Sequence, residues 1–150
     1  MKKYIYYILT LCFIVISCEK DDFCVEDTTP KMVIRFYEDA NPTTIKAVSK
    51  LTVWADGLDS IYTNQSLDSI AIPLNLYEDF TKYLFASEEQ IDTINFTYEL
   101  NDIFVSRSCG YKTNFENVDT TAITKNWIKN ISIKQSIINH DTTAHISIFH

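Results

Sequence analysis

Thr93–Leu100, TINFTYEL, is the stretch whose reading decides the fold. Ile94, Phe96, Tyr98 and Leu100 alternate with Thr93, Asn95, Thr97 and Glu99, the period-two pattern of a strand that buries one face. Towards the N-terminus the same alternation recurs in Phe80–Ala86, behind the solvated turn Ser87-Glu88-Glu89. It recurs again in Ile70, Ile72, Leu74 and Leu76, where Pro73 marks a sheet edge or a bulge. Ile61–Thr63 reads as a short strand, and Lys46–Trp54 as a longer one that ends in the Asp56-Gly57 signal of a hairpin turn. Beyond the turn cluster Asp39–Pro42, Lys31–Tyr37 places Met32, Ile34 and Phe36 on one face.

Towards the C-terminus, Asn101-Asp102 reads as a turn into a strand over Ile103–Lys112. Asn117–Lys125 reads as a loop or at most one helical turn. Trp127–Ile138 and Thr143–Phe149 form a closing hairpin around Asn139-His140-Asp141. No stretch sustains a helical period. Short strands separated by turn signals every eight to twelve residues point to an all-β, antiparallel β-sandwich of seven to eight strands. An up-and-down β-barrel is the alternative.

The N-terminus follows a different grammar. Lys2 and Lys3 precede an uncharged apolar run, Tyr4–Ile16, in the manner of a secretory signal. Thirteen residues fall short of the roughly twenty a spanning helix needs. The run ends Val15-Ile16-Ser17-Cys18, which resembles a bacterial lipobox; that resemblance implies cleavage before Cys18 and lipid attachment to it. Glu19-Lys20-Asp21-Asp22 resembles the acid-rich signal that carries lipoproteins of Bacteroidota-type bacteria to the cell surface. The chain therefore divides into a signal peptide (1–17), a lipidated acidic tether (18–30) and one domain (31–150).

Lys2 and Lys3 are the only charges of the signal, so the remaining 133 residues carry −9 against −7 for the whole chain. Such a surface argues against nucleic acid as a partner and against the anionic face of a membrane. With two glycines in the chain, Gly57 and Gly110, no phosphate-cradling loop can be built. Cys12 leaves with the signal and Cys18 takes lipid, which leaves Cys24 and Cys109. Two cysteines in an oxidising compartment most simply pair.

Candidate chemistry is sparse. The two arginines, Arg35 and Arg107, fall inside expected strands, and Arg107 shares parity with Val105 and Cys109 on the face expected to point inward. Each is a candidate ion-pair or anion site. His140, His145 and His150 lack the spacing of a metal site, no cofactor is implied, and no nucleophile–base pair stands out; the expectation is a non-enzyme. Six Asp-Ser/Thr steps look like the acceptor pattern of O-glycosylation in Bacteroidota-type bacteria, with Thr28, Ser60, Ser69, Thr93, Thr120 and Thr142 as candidate hydroxyls. The same pairs also mark turns.

Phe23–Asp27 (FCVED), Lys31–Tyr37 (KMVIRFY), Phe104–Lys112 (FVSRSCGYK) and Ala144–His150 (AHISIFH) resemble a family of small outer-membrane lipoproteins of Bacteroidota-type bacteria, a domain of unknown function. The resemblance implies a single envelope domain and supports the Cys24–Cys109 pair, but implies no activity. The expectation is an outer-membrane lipoprotein, displayed at the cell surface or alternatively facing the periplasm. It would act as a non-catalytic binding or accessory subunit, for instance beside an outer-membrane β-barrel. The alternative is a small-molecule or glycan-binding module that uses Tyr37, Trp54 and Tyr111 for stacking.

Overall fold

Alternating strands can bury their apolar faces only against a second sheet, and two sheets form. The structure, a computed structural model, describes Cys24 and residues 28–150, with the backbone alone for residues 121–123. Its strands are β1 (Met32–Tyr37), β2 (Val48–Ala55), β3 (Ser60–Leu67), β4 (Ser69–Ile72), β5 (Phe80–Ser87), β6 (Gln90–Ser106), β7 (Gly110–Ile123), β8 (Asn130–Ile133) and β9 (Ile146–Phe149). One sheet has the order β4-β1-β9-β8 and the other β3-β2-β5-β6-β7. All pairs are antiparallel except β1 with β9, where the last strand enters parallel to the first. The architecture is the expected β-sandwich, with nine strands among the described residues rather than seven or eight. Among the described residues the first and last strands of each sheet do not pair with each other, so no barrel closes.

The core lies between the sheets. Met32, Ile34 and Phe36 of β1, with Ile70, Ile72, Ile146 and Ile148, meet Leu51, Val53, Tyr83, Phe85, Ile94, Phe96 and Tyr98 of the opposite sheet, all buried. Each such side chain contributes roughly 1.5–3 kcal/mol on leaving water. The alternation read from TINFTYEL thus holds for Ile94, Phe96 and Tyr98. Leu100 departs from it and stands partly exposed, because β5 pairs with β6 only as far as Thr97.

From there β6 and β7 continue as a two-stranded ribbon. Asn101-Asp102 is not a turn. Its polar side chains bond across the ribbon instead, Asn101 Nδ2 donating to Glu116 Oε1 (2.6 Å) and Asp102 Oδ1 accepting from Thr113 Oγ1 (2.6 Å). The chain reverses at residues 107–109, and Gly110 takes the left-handed φ of 73° that glycine adopts without strain. Arg107 therefore lies in an exposed turn, not inward from a strand. Residues 117–123 continue β7, where a loop or helical turn was expected. Asn117 absorbs an irregularity there with φ of 52°. In the closing hairpin only Asn130–Ile133 and Ile146–Phe149 pair. Ile138 instead bridges to Phe115 of the other sheet through reciprocal backbone bonds of 2.8 and 3.0 Å.

The crossing from β7 to β8 is held by one carboxylate. Asp92 is fully buried. Its Oδ1 accepts from Thr124 Oγ1 (2.9 Å) and Asn126 N (2.7 Å), and its Oδ2 from Trp127 N (2.9 Å) and Ile128 N (2.8 Å). Four donors converge on a charge that would otherwise be prohibitive to bury. Trp127 Nε1 completes the corner by donating to Phe85 O (3.0 Å).

Candidate functional site

The β2–β3 turn and the segment between β4 and β5 face each other across a groove of about 490 Å³. The turn is built by Asp56-Gly57, with Gly57 at φ 77°. Asp56 is tied to β5 by an ion pair of its Oδ2 with Lys82 Nζ at 2.9 Å, the one ion pair among the described residues. The opposite wall is pinned from below by hydroxyls. Tyr83 donates to Pro73 O, and Tyr98 donates to Asn75 O (2.9 Å). Thr81 Oγ1 accepts from Asn75 N (2.8 Å) and meets the Tyr98 hydroxyl. Because the Tyr98 proton is committed to Asn75, Thr81 is the donor between the two hydroxyls. Burial pushes both Tyr83 and Tyr98 upward from the ordinary tyrosine pKa, so they act as fixed neutral donors.

Apolar side chains line the rigid frame and point into solvent. Leu58 is 70% exposed and Tyr77 93%, with Leu76 and Phe80 beside them. Leaving such side chains in water forgoes burial free energy that a partner could recover. Asn75 Oδ1 accepts from Tyr77 N (2.9 Å), which fixes the backbone that carries the most exposed ring.

The residues singled out from sequence fall elsewhere. Cys18, the Glu19, Lys20, Asp21 and Asp22 signal and the 1–17 segment lie outside the described residues. Cys24 and Cys109 are joined as a disulfide, Cα–Cα 4.9 Å across a sequence separation of 85. Thr113 N donates to Thr29 Oγ1 (3.1 Å), a second tie between the N-terminal segment and the ribbon. Arg35 is exposed on the outer face of β1, and neither it nor Arg107 has an ion pair among the described residues. Of the candidate acceptors, Thr28, Ser60 and Thr142 are exposed, whereas Ser69, Thr93 and Thr120 sit half-buried within strands. Tyr37 packs on Phe149 (ring centroids 5.7 Å), Trp54 is half-buried on β2 and Tyr111 lies at the ribbon end. They belong to three separate places, and none lines the groove.

Among the described residues no three His, Cys, Asp or Glu side chains gather as a metal site. His140 and His145 come together, ring centroids 5.7 Å apart, while His150 packs on Phe36 and Trp127. His145 is fully buried, and its Nδ1 accepts from Val33 N (3.0 Å), so the neutral ring carries its proton on Nε2. Burial, then the neighbouring His140, holds its pKa below the ordinary 6.5; the His140 backbone and Asp141 oppose this less strongly. Between 6.5 and that depressed value the unfolded chain binds the extra proton and the folded chain does not. Stability is therefore complete above 6.5 and declines as pH falls below it. Melting temperature measured from pH 7.5 to 5 should fall. His145→Asn, whose side-chain oxygen can still accept from Val33, should flatten the profile; an unchanged slope would remove His145 from the account.

The profile of the family of unknown function DUF6452 matches residues 50–150, which include Phe104–Lys112 and Ala144–His150 but not the N-terminal motifs. No curated protein and no solved structure matches the chain.

Proposed function

This chain belongs to the family of unknown function DUF6452, and from that premise we propose that it is an outer-membrane lipoprotein that docks a protein partner in the Leu58–Tyr77 groove. The lipobox-like end at Cys18 supports the anchor, and Glu19-Lys20-Asp21-Asp22 supports display at the cell surface. The observation that carries the docking role is the exposure of Leu58, Leu76, Tyr77 and Phe80 on a frame whose backbone is held by buried hydroxyls. A small-molecule site typically encloses 70–90% of its ligand. Side chains that stand as far into solvent as Tyr77 suit a broad apolar surface on another protein. A preformed frame also lowers the ordering cost of association. The domain then serves as an accessory subunit of an envelope assembly without chemistry of its own.

The test is site-specific photocrosslinking in native envelopes. A crosslinker at Tyr77 should give one discrete protein adduct, and the same group at the exposed Asp141 should give none. Tyr77→Asp should abolish capture at an unchanged melting temperature, because the ring makes no core contact. A small molecule that copurifies with wild type and is lost with Tyr77→Asp, without any protein adduct, would instead favour the ligand-binding reading.

A further inference from the structure

Among the described residues, 99–106 of β6 pair with β7 and with no other strand, so the ribbon end extends past the last β5 pairing of its sheet. Phe104 and Tyr111 are direct cross-strand partners there and meet edge to face, ring centroids 5.4 Å apart. They are nonetheless 56% and 71% exposed, and Ile103 on the opposite face is exposed as well. Arg107 and Lys112 are the only charged side chains from 103 to 112. Without a cover, this is a costly place for two aromatic rings.

The disulfide says where the ribbon end must be. Cys24 is bonded to Cys109, in the turn between Phe104 and Tyr111. Cys24 lies only six positions after Cys18, and six residues' length of chain spans at most about 20 Å. Without the bond, the first strand residue of the domain is Met32, fourteen residues from Cys18, a reach of up to about 50 Å. The bond thus shortens the tether to less than half and selects which end of the domain it holds close.

We propose that the ribbon end of β6 and β7 is a membrane foot: Phe104, Tyr111 and Ile103 enter the lipid headgroup region while Arg107 and Lys112 meet lipid phosphates. The proposal rests on the lipid anchor at Cys18. Aromatic rings with one polar edge favour the bilayer interface, and shallow insertion of about 5–10 Å suffices to bury them. Confinement by a short tether raises the local concentration of the foot at the surface, so weak contacts suffice. The foot would also fix the orientation of the domain, turning a freely swinging anchor into a two-point attachment.

The test uses the full lipidated protein carrying Tyr111→Trp, in vesicles of phosphatidylethanolamine and phosphatidylglycerol with a nitroxide on the acyl chain. Position 111 is exposed, so the exchange leaves the fold intact, and wild type with Trp54 and Trp127 supplies the background. The added indole should lose roughly half its emission to the nitroxide, as shallow interfacial insertion requires, and mild reduction of the disulfide should restore most of it. Vesicle-bound protein whose added indole is not quenched would overturn the foot while leaving the anchor intact. Protein that fails to float with the vesicles would overturn the anchor itself, and the foot with it. An indole that is unquenched in the nitroxide vesicles yet blue-shifted in native envelopes would assign the ribbon end to a protein partner and likewise overturn the foot.

Discussion

Asp92→Ala is expected to cost about 3–5 kcal/mol, roughly a fifth or more of the total stability of a domain this size. Four donors lose their acceptor at once: the Thr124 hydroxyl and the backbone N–H groups of Asn126, Trp127 and Ile128. Each buried donor left alone costs about 1–3 kcal/mol, and water entering the small void recovers part of that sum. Asp92→Asn should recover little, because its amide nitrogen must face at least one N–H group that now finds an acceptor. Asp119→Ala is the control, since that side chain is exposed and caps only the N–H of Thr120; its cost should stay within about 0.5 kcal/mol. Denaturant titration reads all three. A loss below about 1 kcal/mol for Asp92→Ala would mean that the crossing to β8 is held by packing around Trp127 rather than by the carboxylate.

Removing the disulfide, by Cys24→Ser with Cys109→Ser, should cost about 4 kcal/mol in the chain-entropy model for a closed loop of this length. The model alone gives slightly more. The freed N-terminal segment regains conformational freedom in the folded state, which offsets on the order of 1 kcal/mol. The Thr29–Thr113 bond is too weak to hold that segment by itself. The double variant should therefore stay folded with a lower melting temperature, and its residues 24–30 should become sensitive to protease. Unchanged stability would show that the unfolded chain is not appreciably restrained by the bond.

What the sequence could reveal depended on whether the signal was local. Alternation is local, so the inward faces of β1, β2 and β6 follow from reading every second residue. Asp56-Gly57 marked its hairpin because the left-handed turn demands glycine at that position. Asn101-Asp102 misled because polar pairs mark turns only where a strand must stop. On a two-stranded ribbon they bond across to Glu116 and Thr113 and let the strands run on. Moving the reversal to 107–109 also turned Arg107 outward. Asp92 gave no local sign of its role, since its four donors lie 32–36 residues away and Asp-Thr reads equally well as a turn. The groove was hidden for the same reason. Its frame depends on Tyr83 and Tyr98 reaching backbone carbonyls of Pro73 and Asn75, a pairing no periodicity encodes. The Cys24–Cys109 bond was legible because assigning Cys12 to an expected signal and Cys18 to an expected lipid left only two cysteines to pair.

The proposed anchor at Cys18 underlies both the docking role of the groove and the reach of the foot, and intact mass of the protein purified from its native membranes tests it most directly. The account predicts a polypeptide that begins at Cys18, carries the added mass of a diacylglycerol and an amide-linked acyl chain, and is two hydrogens lighter for the Cys24–Cys109 bond. A soluble chain that begins at another residue and carries no lipid would contradict it.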